Sequence, residues 1–387
     1  MVEVGKRVKH AVAGVVVGLG VFTAAIPLLW SNEGRAVRRS DSLAEGSAAV
    51  VEATAERVDA AHEGRLVHVS GNVAATAPLA DAEFGIVADS LALERNVEMY
   101  QWREKRESRR RRRSNGTSKT VTEYEYSRVW SDDRIDSGRF HEPDGHENPG
   151  PLPLPSRKVS TDRAQLGAFT LDAGITRRFD DWERFAVPDV AASTFEGFRR
   201  AGAGFYRGAD PAAPALGDVR VTFRHVPAGT YSFVARQAGT GLAPYESQNG
   251  DDILLIEPGT KGAKSMFATA ESANRTLTWL FRAIGFVAMW AGLGLVMRPL
   301  AAAGSVLPIV GALLEKGLAF VAFVLAASCS LLTIALAWVF HRPLLGIALL
   351  LAVVGLVYWL RRKPVAIAMP PPPPPGAAAL PPPPPAA

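Results

Sequence analysis

The 387-residue chain has a single cysteine, Cys329, and it lies within an apolar run. An intrachain disulfide, a cysteine-based zinc site and a redox pair are therefore excluded. Nucleophile and phosphate-binding signatures are also missing. There is no G-x-S-x-G, no P-loop and no strand–turn–helix G-x-G-x-x-G. The pairs Gly18-Leu-Gly20 and Gly292-Leu-Gly294 fall inside apolar runs. Those runs hold no acidic residue, the usual mark of proton-coupled transport. Charge is scarce overall: 21% of residues are charged against 48% hydrophobic, and the mean hydropathy is +0.08. Such a chain is too apolar to be disordered and rich in apolar residues for a soluble protein.

The formal net charge of +5 is unevenly placed. Ten of the 43 basic residues and two of the 38 acids lie outside 31–276, so that segment holds 33 basic and 36 acidic residues. The basic excess flanks apolar runs and forms no nucleic-acid face, so no nucleic-acid partner is expected.

What the chain does have is four apolar blocks of spanning length: 11–30, 277–297, 317–340 and 344–360. Trp30, Trp279, Trp338, Phe340, Tyr358 and Trp359 sit at their ends, as in interfacial belts. The first block reads as an uncleaved signal anchor, because Thr23-Ala-Ala25 is followed by Ile26-Pro27, a poor cleavage site. Gly14 and Gly18 form a GxxxG pattern suited to close helix packing. Arg282 lies about one turn inside the second block, where it is expected to snorkel outward. Lys6, Arg7 and Lys9 place the N terminus (1–10) in the cytoplasm, and Arg361, Arg362 and Lys363 place the C terminus there too.

Segment 31–276 is then exported. The apolar stretch 299–314, within the cytoplasmic segment 298–316 and broken by Pro308, reads as an interfacial helix, with a re-entrant element as the alternative. Residues 361–387 carry proline runs at 370–375 and 381–385. They read as a disordered polyproline tail, either simply solvated or a dock for a proline-recognising partner.

In the exported segment, 66–73, 91–102 and 120–130 read as strands, the last two as a long hairpin with a charged tip. Residues 219–226 and 231–237 read as a second hairpin about Pro227-Ala-Gly229, and 251–256 as a buried strand. Helices are expected over 42–59, 161–171 and 190–200. The fold class is thus an α+β membrane protein with four transmembrane helices and a large β-rich exported domain between the first and second.

Few residues invite a chemical role. Arg109, Arg110, Arg111, Arg112 and Arg113 are a candidate contact for anionic lipid or an acidic partner, or else a solvated hairpin tip. His141-Glu-Pro-Asp144-Gly-His146-Glu147 lacks the i, i+4 histidine spacing of zinc hydrolases and reads as a polar loop. Ser328, Cys329, Ser330 and Thr333 read as helix-packing groups rather than pore lining. No catalytic, cofactor-binding or metal-binding residue is assigned, and no cofactor is expected.

Several segments resemble the transmembrane protein 43 (LUMA) family. They are Trp290 through Leu300, Leu307-Pro308, Gly317 through Phe323, Leu331 through Pro343, Leu79 through Ile86, Val97 through Trp102 and Tyr124 through Asp132. The resemblance covers about 30–360. It implies a four-span protein with one large lumenal or periplasmic domain, roles in membrane organisation, self-association and partner binding, and a proposed channel-related role. It carries over no catalytic residue.

The combined expectation is a non-enzymatic, self-associating scaffold that organises membrane-protein complexes, or alternatively an oligomeric ion channel or channel subunit. Its expected partners are the lipid bilayer, further copies of itself and other membrane proteins. The Ala-, Arg- and Pro-heavy usage points to a bacterial cytoplasmic membrane with a periplasmic domain, or, for a eukaryotic chain, to the endoplasmic reticulum and inner nuclear membrane.

Overall fold

A computed structural model describes residues 2–112, 118–189, 191, 193–303, 308–342, 347, 351 and 358. Three long helices frame it: α1 (Val2–Ala49), α2 (Ala263–Ala303) and α3 (Pro308–His341). Each has a stretch long and apolar enough to cross a membrane, over Ala13–Ala49, Ala263–Pro299 and Lys316–His341. In hydrocarbon every backbone N–H and C=O must be paired within its own segment, and a continuous helix does this. Leu280, Val287, Phe320 and Leu331 point outward, while Ala25, Leu29, Met289 and Ala326 meet inside. The fourth expected span, 344–360, lies outside the described residues apart from Ile347, Leu351 and Tyr358, whose backbone is helical. The proline-rich tail lies outside them entirely.

Two helical expectations change. Among its described residues, 298–316 holds no helix separate from α2 and α3. Instead α2 runs on through Pro299 to Ala303, and α3 starts at Pro308. The first turn of a helix has no use for a proline N–H, so Pro308 opens a helix here rather than breaking one. The helix expected over 42–59 is no separate element either. It is the outer end of α1, which stops at Ala49 and gives way to the short strand Val51–Glu52.

The β-rich domain lies between α1 and α2 and is built on two large sheets, with two further two-stranded pairings, Leu79–Asp81 with Ile86–Ala88 and Tyr245–Glu246 with Asp252–Ile253. The first is built on strands β1 (Leu66–Ala75) and β5 (Gly229–Ala238), antiparallel from Val73↔Gly229 to Leu66↔Arg236. From β1 the pairing passes to Ala164–Leu166, Phe169–Leu171 and Gly241–Ala243, then returns to β5. This closed ring surrounds a core of Val67, Val69, Leu166, Phe169, Leu171 and Phe233.

The second sheet is built on β2 (Ser90–Arg112), β3 (Ser118–Ser131) and β4 (Val219–Pro227). Its order is Arg199–Ala201, Gly204–Arg207, β4, β2, β3. Its core gathers Phe84, Leu93, Val97, Met99, Val221 and Phe223.

The expected strands at 66–73, 91–102 and 120–130 are present and longer than anticipated. The strand expected over 251–256 is two short ones, Asp252–Ile253 and Leu255–Pro258. The expected hairpin of 219–226 with 231–237 does not form. β4 pairs with β2 in the second sheet, while β5 pairs with β1 in the first. Val219, Val221 and Phe223 fill one core, while Tyr231, Phe233 and Ala235 fill the other. A tight hairpin would put both sets in the same core.

Residues 161–171, expected helical, are a strand pair about Gly167, whose φ is 56°. A Cβ at Gly167 would lie 2.1 Å from the Ala55 carbonyl oxygen, so only glycine fits the turn. Residues 190–200 show no helix among their described positions. Phe195 and Phe198 pack on Phe84 instead.

Candidate functional site at the membrane boundary

α1 and α2 run antiparallel and touch backbone to backbone. A Cβ on Gly18 would sit 2.6 Å from the Gly292 carbonyl oxygen, and one on Gly292 would sit 2.7 Å from the Gly18 carbonyl oxygen. Farther along, Leu29 fills the notch left by Gly285. Gly18 thus packs within the chain, whereas Gly14 has no atom within 4 Å of its Cβ position.

Toward the β-rich domain the packing becomes polar. Glu33 of α1 is 1% exposed and takes two hydrogen bonds from Arg282 of α2, Nε to Oε1 and Nη2 to Oε2, both 2.7 Å. Trp338 Nε1 of α3 donates to the same carboxylate at 2.7 Å. The Arg282 guanidinium also lies over the rings of Trp279 and Trp338, 4.9 and 5.9 Å from their centroids. One carboxylate therefore binds three helices together. Arg282 does not snorkel to water. Its charge is met inside, because Glu33 arrives on the neighbouring helix at the same depth. This bidentate, charge-assisted geometry is the strong form of the interaction.

One turn farther out, Arg35 donates to Asn274 Oδ1 (2.9 Å), Asn32 Oδ1 (3.1 Å) and Thr278 Oγ1 (3.1 Å). Asn274 returns a bond to the Ala36 carbonyl at 3.0 Å.

The helices then enter the domain without a break. Leu43 of α1 and Met266 and Phe267 of α2 are buried against Leu66 and Val234 of the first sheet and Ile253 of the short strand Asp252–Ile253. Ser42 Oγ lies 2.8 Å from Ser247 Oγ, and Arg39 donates to the Asp252 carbonyl at 2.7 Å. The domain is thus mounted on the helices through a continuous apolar and polar seam.

The other prominent feature is the β2–β3 hairpin, paired from Met99↔Ser131 out to Arg112↔Ser118. Arg109 to Arg112 pair with Val121 to Ser118 along it, and Arg113 lies outside the described residues. On one face the loop 133–148 is pinned along the ribbon. Gln101 bonds the Asp133 carbonyl and the Ile135 N–H, and Asn148 bonds both backbone groups of Trp102. The His141–Glu147 segment belongs to this loop. The His141 ring stacks on Tyr124 at 4.1 Å and the His146 ring on Tyr126 at 3.9 Å. Glu104 accepts from the His141 N–H and the Tyr126 hydroxyl, and the backbone donor chiefly holds its carboxyl below the usual range. Among the described residues no three His, Cys, Asp or Glu side chains converge as metal ligands.

Two buried polar contacts carried no signal in the sequence. Arg95, 2% exposed, donates to both oxygens of Asp81 at 2.9 Å and also to Glu83. Burial raises the Asp81 carboxyl, while the hydrogen bond from Arg95 lowers the more exposed Glu83. Ser90 Oγ lies 2.7 Å from His225 Nδ1, and burial lowers that imidazole. With Ser90 only 1% exposed, this is a core contact out of reach of a substrate. In α3 the hydroxyls of Ser328 and Thr333 donate to Val324 and Cys329 carbonyls of their own helix.

The family model described as Transmembrane protein 43 matches residues 99–343. Transmembrane protein 43 of Mus musculus is 34% identical over 350 residues, spanning 88% of this chain and 87% of that protein. The Homo sapiens protein is 34% identical over 363 residues, 91% and 90% of the two chains. The Transmembrane protein 43 homolog of Drosophila melanogaster is 30% identical over 359 residues, 90% and 94%. No solved structure matches. The same arrangement of apolar helices and intervening β-rich domain is thus carried by a sequence related to these proteins over nearly its whole length, and the chain belongs to the Transmembrane protein 43 family.

Proposed function

We propose that this membrane protein is a non-enzymatic scaffold. It associates with copies of itself and presents its β-rich domain, on the exported side, to other membrane proteins. The observation that carries the reading is the β2–β3 hairpin. It projects as a paired ribbon, and none of its described positions beyond Met99 belongs to a hydrophobic core. A ribbon of that length contributes little to its own domain's stability, whereas it extends the domain's reach toward a partner. The rigid mounting through Glu33, Arg282 and the Leu43–Phe267 seam supports the same reading, since it fixes the ribbon relative to the bilayer. Arg109 to Arg113 at its end would select an acidic partner or an anionic surface.

The alternative of an ion channel draws less support. The helix faces that meet are filled by Ala25, Leu29, Met289 and Ala326. The relatives named above are animal proteins and lend no support to a bacterial membrane; the endoplasmic reticulum or inner nuclear membrane fits them better.

The test compares the intact chain with a variant in which 106–124 is replaced by Asn-Gly, each extracted from its own membranes in mild detergent. The intact chain should carry other polypeptides in fixed ratio, and the shortened chain should lose them. Identical composition of the two complexes would defeat the reading. A closed assembly of this chain alone that passes ions in liposomes would favour the channel.

A further inference from the structure

Three arginines leave the first span close together on α1, and their surroundings differ. Arg35 is bound by Asn32, Asn274 and Thr278, and Arg39 by the Asp252 carbonyl. Arg38 has no hydrogen-bond or ion-pair partner among the described residues. Its guanidinium nevertheless has a defined place. A Cβ built on Gly34 would lie 3.3 Å from Arg38 Nη1 and 2.7 Å from His341 Nε2. Two nitrogens from two helices therefore converge over the same glycine. His341 Nε2 is buried and has no hydrogen-bond partner. The nearby Glu33 carboxylate is already engaged by Arg282 and Trp338. Donors gather here with no acceptor to meet them.

The depth of this point identifies the acceptor. A helical side chain leans toward the preceding turn, which brings the Arg38 head down to the level of Gly34. Gly34 lies four residues past Trp30, about 6 Å along the helix axis. Trp30 packs against Phe340 and His341, with ring centroids 5.4 and 5.9 Å away, and belongs to the aromatic belt at the hydrocarbon edge. The headgroup layer beyond that edge is roughly 5–8 Å deep on each side. The converging nitrogens are thus at the depth of lipid phosphates. Arg342, its guanidinium 5.8 Å from the Trp338 ring centroid, adds a cation at the same end of α3.

We propose that Arg38 and His341, with Arg342 beside them, bind the phosphate group of a membrane phospholipid. The Arg38 fork suits two phosphate oxygens, and His341 Nε2 can donate to a third. A side chain at position 34 would strike the His341 ring, its Cβ 2.7 Å from Nε2, and press on the Arg38 head at 3.3 Å. The site ties α1 at Gly34–Arg38 and the end of α3 to the headgroup plane, whatever protein partner the domain takes.

The test uses the full chain in mild detergent, titrated with phosphatidylglycerol, with retained lipid read by native mass spectrometry. The double variant R38Q/R342Q should weaken retention by about tenfold or more, the loss expected when charge-assisted hydrogen bonds to phosphate are removed. H341F, which keeps the packing on Trp30, should weaken it less. G34A, which removes no charge but crowds both nitrogens, should also weaken it. R139Q, on the exposed surface of the domain, should leave it unchanged. Thermal unfolding of each variant shows that the fold is kept. Excess inorganic phosphate should leave the lipid bound. Displacement of the lipid by inorganic phosphate would mean a free-anion site and overturn the lipid assignment. Equal retention by wild type and R38Q/R342Q, or by wild type and G34A, would overturn the site.

Discussion

Arg95 and Arg282 are each held away from water by a carboxylate, yet they join very different things. Arg95 and Asp81 lie 14 residues apart, within one domain and around one core. Arg282 and Glu33 lie 249 residues apart, on two helices, and Trp338 brings in a third. The first pair completes a β-sheet core. The second closes an assembly of helices whose lipid-facing sides gain nothing from the hydrophobic effect. In the domain, burial of apolar surface holds the fold and the ion pair satisfies what became trapped. At the membrane boundary, specific polar contacts must supply much of the adhesion between helices.

The largest effect should come from the domain. Arg95→Met strands Asp81 and should cost about 3–5 kcal/mol in chemical unfolding. Adding Asp81→Leu should return part of the loss, because an apolar pair replaces a broken ionic one. If the double variant is no better than the single, the pair is not what the core responds to.

Next is Glu33→Gln, which removes the charge that faces Arg282 and Trp338. A loss of about 1.5–3 kcal/mol is expected in detergent, the range for hydrogen bonds to charged groups. The domain's own near-ultraviolet signal should persist while the helices loosen. Simultaneous loss of both would erase the distinction drawn between the two regions.

Gly292→Val should cost about 1–3 kcal/mol by forcing α1 and α2 apart. Gly14→Val should stay within about 0.5 kcal/mol, since nothing lies within 4 Å of its Cβ position. Equal effects at the two glycines would show that the crossing is not where the structure places it.

The smallest effect is a titration. Burial, with the hydrogen bond to Asp218, pushes Tyr206 up to about 12. The raised value means that the folded state favours the neutral phenol. Its contribution is complete below the unfolded value near 10 and is lost as pH rises toward 12. Tyr206→Phe should flatten the alkaline loss of stability across that window in the domain and leave the helices untouched. An unchanged alkaline profile would count against the buried phenol.

Much of this organisation was legible in the residues. The apolar runs marked the helices, because a bilayer requires about twenty apolar positions in a row. Tyr124, Tyr126 and Trp130 fall on one face of the strand read over 120–130, because a strand repeats every two residues. What failed was non-local. Val219–Val226 and Tyr231–Gln237 look like a hairpin locally, and only their different cores send them to different sheets. Residues 161–171 carried enough helix-favouring character to mislead, and the turn at Gly167 is fixed by the distant Ala55 carbonyl. Arg282 stands out as a charge within a span, but Glu33 lies past the end of another, where an acid carries no signal. Their pairing depends on two helices meeting at one depth, which no sequence window contains. His341 falls just past the end of an apolar run, and its proximity to Gly34 and Arg38 arises only once α1 and α3 pack.

The most direct measurement is the charge swap at the boundary. Glu33→Arg, Arg282→Glu and the double variant are reconstituted in lipid nanodiscs, and the unfolding transition of the helices is followed by temperature. Each single variant should lower the transition markedly, and the swap should recover at least half of the loss, because the ion pair is re-formed with its ends exchanged. A double variant that falls by the sum of the singles would contradict the claim that this pair binds the helices together.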